Sequence, residues 1–471
     1  MLAMVIWSAI ALINIDRALL AAIVVLPLGM LAAVKLPIGG FTPPIAQLYL
    51  AGALALAATA RITSHDRSGG WLVPHAAIPL LLYAIWGIFS AIVLVRLFAG
   101  DVMVFSMDRG TQGARISPMF KAGLSRLSPV SSNISQTAYM LLSVGFFIAL
   151  ADLTRRLGLA PMVRALRTAA IINIVLGVLD AAALDILLEP LRTADYALHN
   201  EHRIAGIPRI IGGFAEASVF GSFSAAIGAF FVVRGFDRSD PRDLGIGLAN
   251  LAFALVALSS TAFLGLAVFA LCIVVRRLRR FSAKVQMTRA VATLAVIPLG
   301  ILAAGVAAVV LFGAGEILSV LDKLVFNKAE TTSGLERGAM AAQGLRIMAD
   351  TYGIGVGIGS VRANGWFAAT AAAVGLPGLA LMLWFLLAAF VTWRPRVTPG
   401  LAADRAGAQI AGVVAGAIAC ASSFEAYPSL VLIVFAATAT GTLMPETGLG
   451  RAPIRQTVPP APALSRASVR G

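Results

Sequence analysis

Four arginines and two proton acceptors are the residues whose types and positions could do chemistry in this chain. Arg209, Arg337, Arg346 and Arg362 lie in polar stretches beside long apolar runs. A guanidinium stays charged and presents a planar fork that binds oxyanions through paired hydrogen bonds. Glu216, in the run FAEAS at the start of an apolar stretch, and His202, with His199 behind it, are groups that take a proton from a hydroxyl. Residues of these types can bind an anion or accept a proton, but their positions in the sequence do not by themselves bring them into one site. For any single one of these arginines, a salt bridge to Glu336 or Asp350 or contact with a lipid headgroup is the better account, and it is as a set that they point to anion binding.

Other reactive side chains point to less. Asp180 and Asp185 are five apart, so a helix does not put them on one face as a carboxylate pair. Cys272 and Cys420 each sit inside an apolar run, and the four histidines are scattered. That pattern predicts no metal centre and no disulfide, since metal sites need convergent ligands at defined spacing.

The elements that must position these residues are membrane helices. Of 471 residues, 59% are hydrophobic and 13% charged, with a mean hydropathy of +0.89. One soluble core does not bury that much apolar surface. The runs are continuous and lack the alternation of barrel strands, so the expected class is all-α, a polytopic integral membrane protein with about 12–13 transmembrane helices. The expected spans lie near 2–15, 18–34, 43–60, 77–99, 136–152, 168–188, 217–233, 244–259, 261–275, 290–313, 365–393, 407–424 and 427–443. Asp16 and Arg17 interrupt the first apolar stretch, which therefore reads as retained helices rather than a cleaved signal.

Basic residues set the orientation. Arg155, Arg156, Arg164 and Arg167, then Arg234, Arg238 and Arg242, then Arg276 to Lys284, then Arg394, Arg396 and Arg405 fall on alternate short loops, as cytoplasmic loops do. The formal charge of +15 is spread over these loops without a basic patch interleaved with aromatics, which argues against a nucleic-acid partner. Longer loops near 100–135, 189–216 and 314–364 then face the periplasm. Residues 1–443 read as one multi-spanning domain in the lipid bilayer, and 444–471, rich in Pro, Ala and Arg, as a disordered cytoplasmic tail.

The last long loop has the most internal order. Residues 336–352 suit a helix lying on the membrane, and Gly353, Gly355, Gly357 and Gly359 end it, forming a structured periplasmic element before the last three spans. Such alternating glycines either offer backbone amides to an anion or give a pliant re-entry into the bilayer.

The run GLERGAMAAQGLRIMADTYGIGVGIGSVRANGWFAATAAAVGLPG, Gly334 through Gly378, resembles the C-terminal signature of the O-antigen ligase/polymerase superfamily: an arginine-bearing periplasmic helix, a G-x-G-x-G turn, then a helix ending in G-x-x-G. RIIGGFAEASVFGSF from Arg209 is similar to a second element of that family, and Ser259 and Ser260 to its short serine-containing connection. Ligases of the family usually carry His-Asn where the last loop re-enters the membrane; the matching positions are Ala363 and Asn364, which favours the polymerases. The resemblance implies an inner-membrane glycosyl transfer without metal or nucleotide. Its donor would be an oligosaccharide on polyprenyl pyrophosphate, held by Arg209, Arg337, Arg346 and Arg362. Glu216 or His202 would serve as base, with a chain-length regulator and a flippase as partners. A ligase moving glycan to lipid A or protein, and a transporter without bond chemistry, are the alternatives. Internal repeats or paired broken helices would mark the transporter, and the sequence displays neither.

Overall fold

The computed structural model describes residues 14–32, 44–63, 74–107, 123–194, 203–204, 207–281, 331–391, 397 and 400–442. Helices are α1 (Ile15–Val24), α2 (Ile45–Thr63), α3 (Ala77–Leu97), α4 (Ser131–Leu157), α5 (Ala160–Ala181) and α6 (Ala217–Arg238). They continue as α7 (Pro241–Val256), α8 (Ser260–Phe281), α9 (Thr332–Asp350), α10 (Trp366–Phe390), α11 (Ala402–Ser422) and α12 (Leu430–Gly441). Two antiparallel hairpins, β1 (Met103–Phe105) with β2 (Leu124–Arg126) and β3 (Arg203–Ile204) with β4 (Ile207–Pro208), are the strands.

The chain is thus an all-α polytopic membrane protein. Among the described residues seven helices, α3, α4, α5, α6, α8, α10 and α11, are long and apolar enough to cross a membrane, and α12 is a shorter apolar one. The span expected at 290–313, most of that at 2–15, and the tail from 444 lie outside the described residues. The span expected at 18–34 is replaced by the ten-residue α1 and a series of turns. Pro27, which cannot donate to a helical ladder, follows α1 directly and prevents its continuation.

Small residues let the helices approach. The α6–α7 hairpin closes through Gly235 and Gly247, where an added Cβ would lie 2.5 Å from the amide nitrogens of Leu244 and Val232 respectively. Tight backbone contact of this kind is how membrane helices gain packing energy without a hydrophobic driving force. In α6, 83% of the apolar window is buried, against 28% in α8, so α6 is the central helix and α8 lies at the periphery.

The basic residues gather at one end of the bundle in ion pairs. Arg234, 8% exposed, pairs with fully buried Asp243 and with Asp404 at 2.6 Å; Arg238 reaches Asp404 at 2.6 Å and Arg167 reaches Asp243 at 2.8 Å. These contacts tie α5, α6, α7 and α11 together. Arg156 joins α4 to Asp16 of α1 at 2.7 Å, and Arg276 of α8 pairs with Asp237. Removing one partner of the buried pairs of Arg234 with Asp243 and Asp404 strands a charge, at about 3–5 kcal/mol.

The middle of the bundle holds a broken helix. Pro377 supplies no N–H to Ala373, and Gly375 leaves the helical region with φ 63° and ψ −161°, so α10 breaks there. The freed carbonyls find new donors: Val356 N–H donates to Ala372 and Gly357 N–H to Ala373, both at 2.8 Å, and Trp86 Nε1 of α3 donates to Val374 at 2.8 Å. In return Leu376 N–H donates to the Gly353 carbonyl at 2.7 Å. The glycine run is therefore neither an anion nest nor a loose re-entry, because residues 355–360 are buried and the amides from Gly353 to Gly357 all have partners within the protein.

Each glycine of the run has positive φ, and each faces a wall. Gly357, at φ 102°, lies where an added Cβ would sit 2.7 Å from the Ser90 carbonyl in the π turn Ser90–Leu94 of α3. Gly359 backs onto the start of α4, where Ser132 donates to its carbonyl at 2.6 Å and Asn133 donates to Ile358 at 2.7 Å and to Ser360 Oγ at 2.8 Å. Gly357→Ala is expected to lower the thermal midpoint in detergent, since the conformation alone costs about 1–3 kcal/mol. Gly338→Ala, within α9 with nothing within 4 Å, is expected to hold or raise the midpoint, since alanine in a helix is more stable than glycine by about 0.5–1 kcal/mol. Equal midpoints for the two would contradict the packing described.

Candidate functional site

The ends of the broken segment place Arg362. The isolated bridge between Ser106 and Val361 aligns this stretch with β1, and Arg362 N–H donates to the Phe105 carbonyl at 2.7 Å. Its guanidinium lies over the Phe424 ring, 4.8 Å from the centroid, a stacking that orients the planar fork. Two residues on, Asn364 Nδ2 donates to Ala421 at 3.2 Å. Gly365, with φ 85°, packs against the Cys420 carbonyl.

Phe424 belongs to the connection from Ser423 to Ser429 between α11 and α12. This connection is pinned deep against α3: Tyr83, fully buried, donates its hydroxyl to the Ala426 carbonyl, and Thr370 of α10 reaches the same oxygen at 3.4 Å. Ser423 Oγ accepts from Glu425 N–H at 3.2 Å, and Ser429 caps α12 by accepting from Leu432 N–H at 3.3 Å. Glu425 is held between these anchors.

Glu425 keeps some accessible surface, yet dense protein surrounds it, and that desolvation pushes its carboxyl above the ordinary range. The Tyr427 hydroxyl opposes the rise. It lies beside the carboxyl without the geometry of a completed hydrogen bond, on a ring 4% exposed. Burial first, then the charge of Glu425, pushes the Tyr427 hydroxyl well up, with Tyr139 of α4 also facing it.

The residues expected from sequence are spread more widely. Arg337 and Arg346 are nine apart on the continuous α9, about 13 Å along the axis and on opposite faces, with Arg337 half-buried and Arg346 exposed. They do not converge on one anion. Arg209 is half-buried in the loop after β4. There Asp180 accepts from Ile211 and Gly212 N–H at 2.6 and 2.9 Å and pairs with Arg192 at 2.6 Å, which explains an acid at the end of α5 as a loop anchor. Glu216 occupies the N-cap position of α6, where Ser218 Oγ donates to its Oε2 at 2.7 Å. A carboxylate is stabilised there by the helix dipole. His202 and His199 lie outside the described residues.

Glu425 is absent from the sequence-based set because it falls in a two-residue gap between two expected spans. The signal that marks it is an acid flanked by aromatics, Phe424 and Tyr427, where two apolar runs meet. Among the described residues no group of three His, Cys, Asp or Glu is placed to hold a metal ion. No known family model matches the chain, and no curated protein matches it.

The raised carboxyl has a consequence for stability. A group that ionises less readily folded than unfolded contributes stability while protonated and loses it as pH rises through the elevated value. Melting curves across pH should therefore show Glu425→Gln close to wild type in acid and increasingly more stable than wild type as pH climbs above the ordinary carboxylate range. A difference that does not change with pH would contradict the desolvated carboxyl.

Proposed function

We propose that this chain is a bacterial inner-membrane glycosyltransferase of polysaccharide polymerisation, taking its glycan from polyprenyl pyrophosphate at a site facing the periplasm. The observation that carries this reading is the stacking of Arg362 on Phe424, one residue from the desolvated Glu425. The reaction has two needs, a cation and a carboxylate, and the connection between α11 and α12 carries Glu425 beside the residue on which Arg362 stacks. Negative charge grows on the departing pyrophosphate, and a fixed cation in a water-poor site lowers that barrier. The acceptor hydroxyl must lose its proton. Neither need calls for a metal or cofactor, and a flippase and a chain-length regulator would be the partners.

Similarity of the Gly334–Gly378 run to polymerase signatures supports the same reading, with one revision of roles. Arg362 is the pyrophosphate-facing arginine, while Arg346, exposed on α9, and Arg209, on the α5–α6 loop, act on the carrier lipid's approach. The break in α10 is the observation that favours a carrier, since transporters use discontinuous helices. Here, however, its carbonyls at Ala372, Ala373 and Val374 are taken by protein donors rather than turned toward a passing substrate.

The test is the pool of lipid-linked glycans in a strain lacking this chain, complemented with variants and resolved by mass. Deletion should leave single repeats on the lipid, and wild type should restore polymer. Arg362→Ala and Arg362→Lys should both fail to restore it, lysine because it keeps charge without the planar fork. The expected loss is about 2–4 kcal/mol of transition-state stabilisation, roughly 30-fold to 1000-fold in rate. Long lipid-linked polymer in the deletion strain would point to a ligase, and an unchanged pool would remove the proposal.

A further inference from the structure

Resting on that reading, we infer that Glu425 is the group that takes the proton from the acceptor sugar's hydroxyl, with Tyr427 as the residue that positions and tunes it. Two independent observations point to a ligand here. Tyr427 is 4% exposed and its hydroxyl, beside the Glu425 carboxyl, makes no hydrogen bond of complete geometry among the described residues, so it can donate to a hydroxyl placed between the two. Glu425, next to it, retains accessible surface where its neighbours Ala426, Tyr427 and Pro428 have almost none. A sugar hydroxyl, both donor and acceptor, satisfies the two at once: it donates to the carboxylate and accepts from the phenol.

The step balances within the groups named. The acceptor O–H bond breaks and its proton passes to a Glu425 carboxylate oxygen. The freed oxygen pair forms the bond to the donor's anomeric carbon. The bond from that carbon to the pyrophosphate oxygen breaks, and its electron pair leaves on the pyrophosphate, opposite the Arg362 guanidinium. Glu425 then returns its proton to water. Glu216 is less suited, because Ser218 already occupies its Oε2. Among the described residues Tyr427 is the titratable group shown beside the Glu425 carboxyl, with Tyr139 of α4 facing Tyr427 in turn; Tyr83 of α3 and Thr370 of α10 hold the Ala426 carbonyl, and Arg362 lies over Phe424.

The rigid frame fits the role. Ser423, Tyr83, Thr370 and Ser429 fix the backbone on both sides of Glu425, so the carboxylate is held by supports that themselves have locked partners. A base must be ionised to work, and one raised by burial also holds the proton well once it has it, which places its useful range nearer neutrality than an exposed glutamate.

The experiment uses membranes from the complemented deletion strain, whose own lipid-linked repeats are the substrate, with polymer formation followed across pH and normalised to folded protein. Glu425→Gln should fall at least 100-fold at every pH with normal folded yield. Glu425→Asp should keep a fraction of the activity, its carboxylate being one methylene short. Tyr427→Phe, which removes the hydroxyl that favours the ionised carboxyl, should shift the rising limb of the pH profile to higher pH while nearly keeping the plateau. Near-wild-type rates in Glu425→Gln would overturn the inference, as would an unmoved limb in Tyr427→Phe. If Glu425→Gln does not fold, the Tyr427→Phe limb decides alone. Wild-type membranes that make no polymer would instead count against the glycosyl transfer reading itself.

Discussion

A peptide group removed from water must find a partner, and inside this bundle one exchange of hydrogen bonds meets that requirement. The break in α10 at Gly375 and Pro377 frees carbonyls that a regular helix would have satisfied. The glycine run after α9 has amides that no helix or sheet of its own would satisfy. Each is untenable alone in an apolar interior, where an unpaired peptide group costs several kcal/mol. Together they close on one another through Val356, Gly357 and Leu376, and only glycine fits the positive φ and the close walls at Ser90 and Ser132.

From that exchange the candidate site follows. After Ser360 the run pairs with the end of β1, and so fixes Arg362 over the connection between α11 and α12. The same face of α3 that supports the break through Trp86 also supports that connection through Tyr83. One helix thus sets the position of the cation and of the carboxylate. At the opposite end, buried pairs among Arg167, Arg234, Arg238, Asp243 and Asp404 hold α5, α6, α7 and α11 in register.

Composition and apolar run length were enough to read a helical membrane protein, because lipid imposes a single length scale on every span. The alternate basic loops foretold residues that do gather at one end, although the pairs Arg167–Asp243 and Arg234–Asp404 were hidden by separations of 76 and 170 residues. The glycine run was recognisable as special, but its use was not: whether its amides face an anion or a carbonyl depends on Pro377, a residue twenty positions on whose effect is felt only after α10 folds back. Helical spacing alone placed Arg337 and Arg346 on opposite faces once α9 proved continuous. Glu425 was overlooked because hydropathy treats a short connection between apolar runs as punctuation, whereas its burial comes from α3 and α10.

The claim on which the rest depends is that the glycine run and the break in α10 satisfy each other. Hydrogen exchange of the membrane-embedded protein measures it at the amides concerned. Val356, Gly357 and Leu376 should exchange as slowly as the buried core of α6, opening only with the fold as a whole. Exchange of those amides at the rate of an exposed turn, while α6 stays protected, would contradict the account.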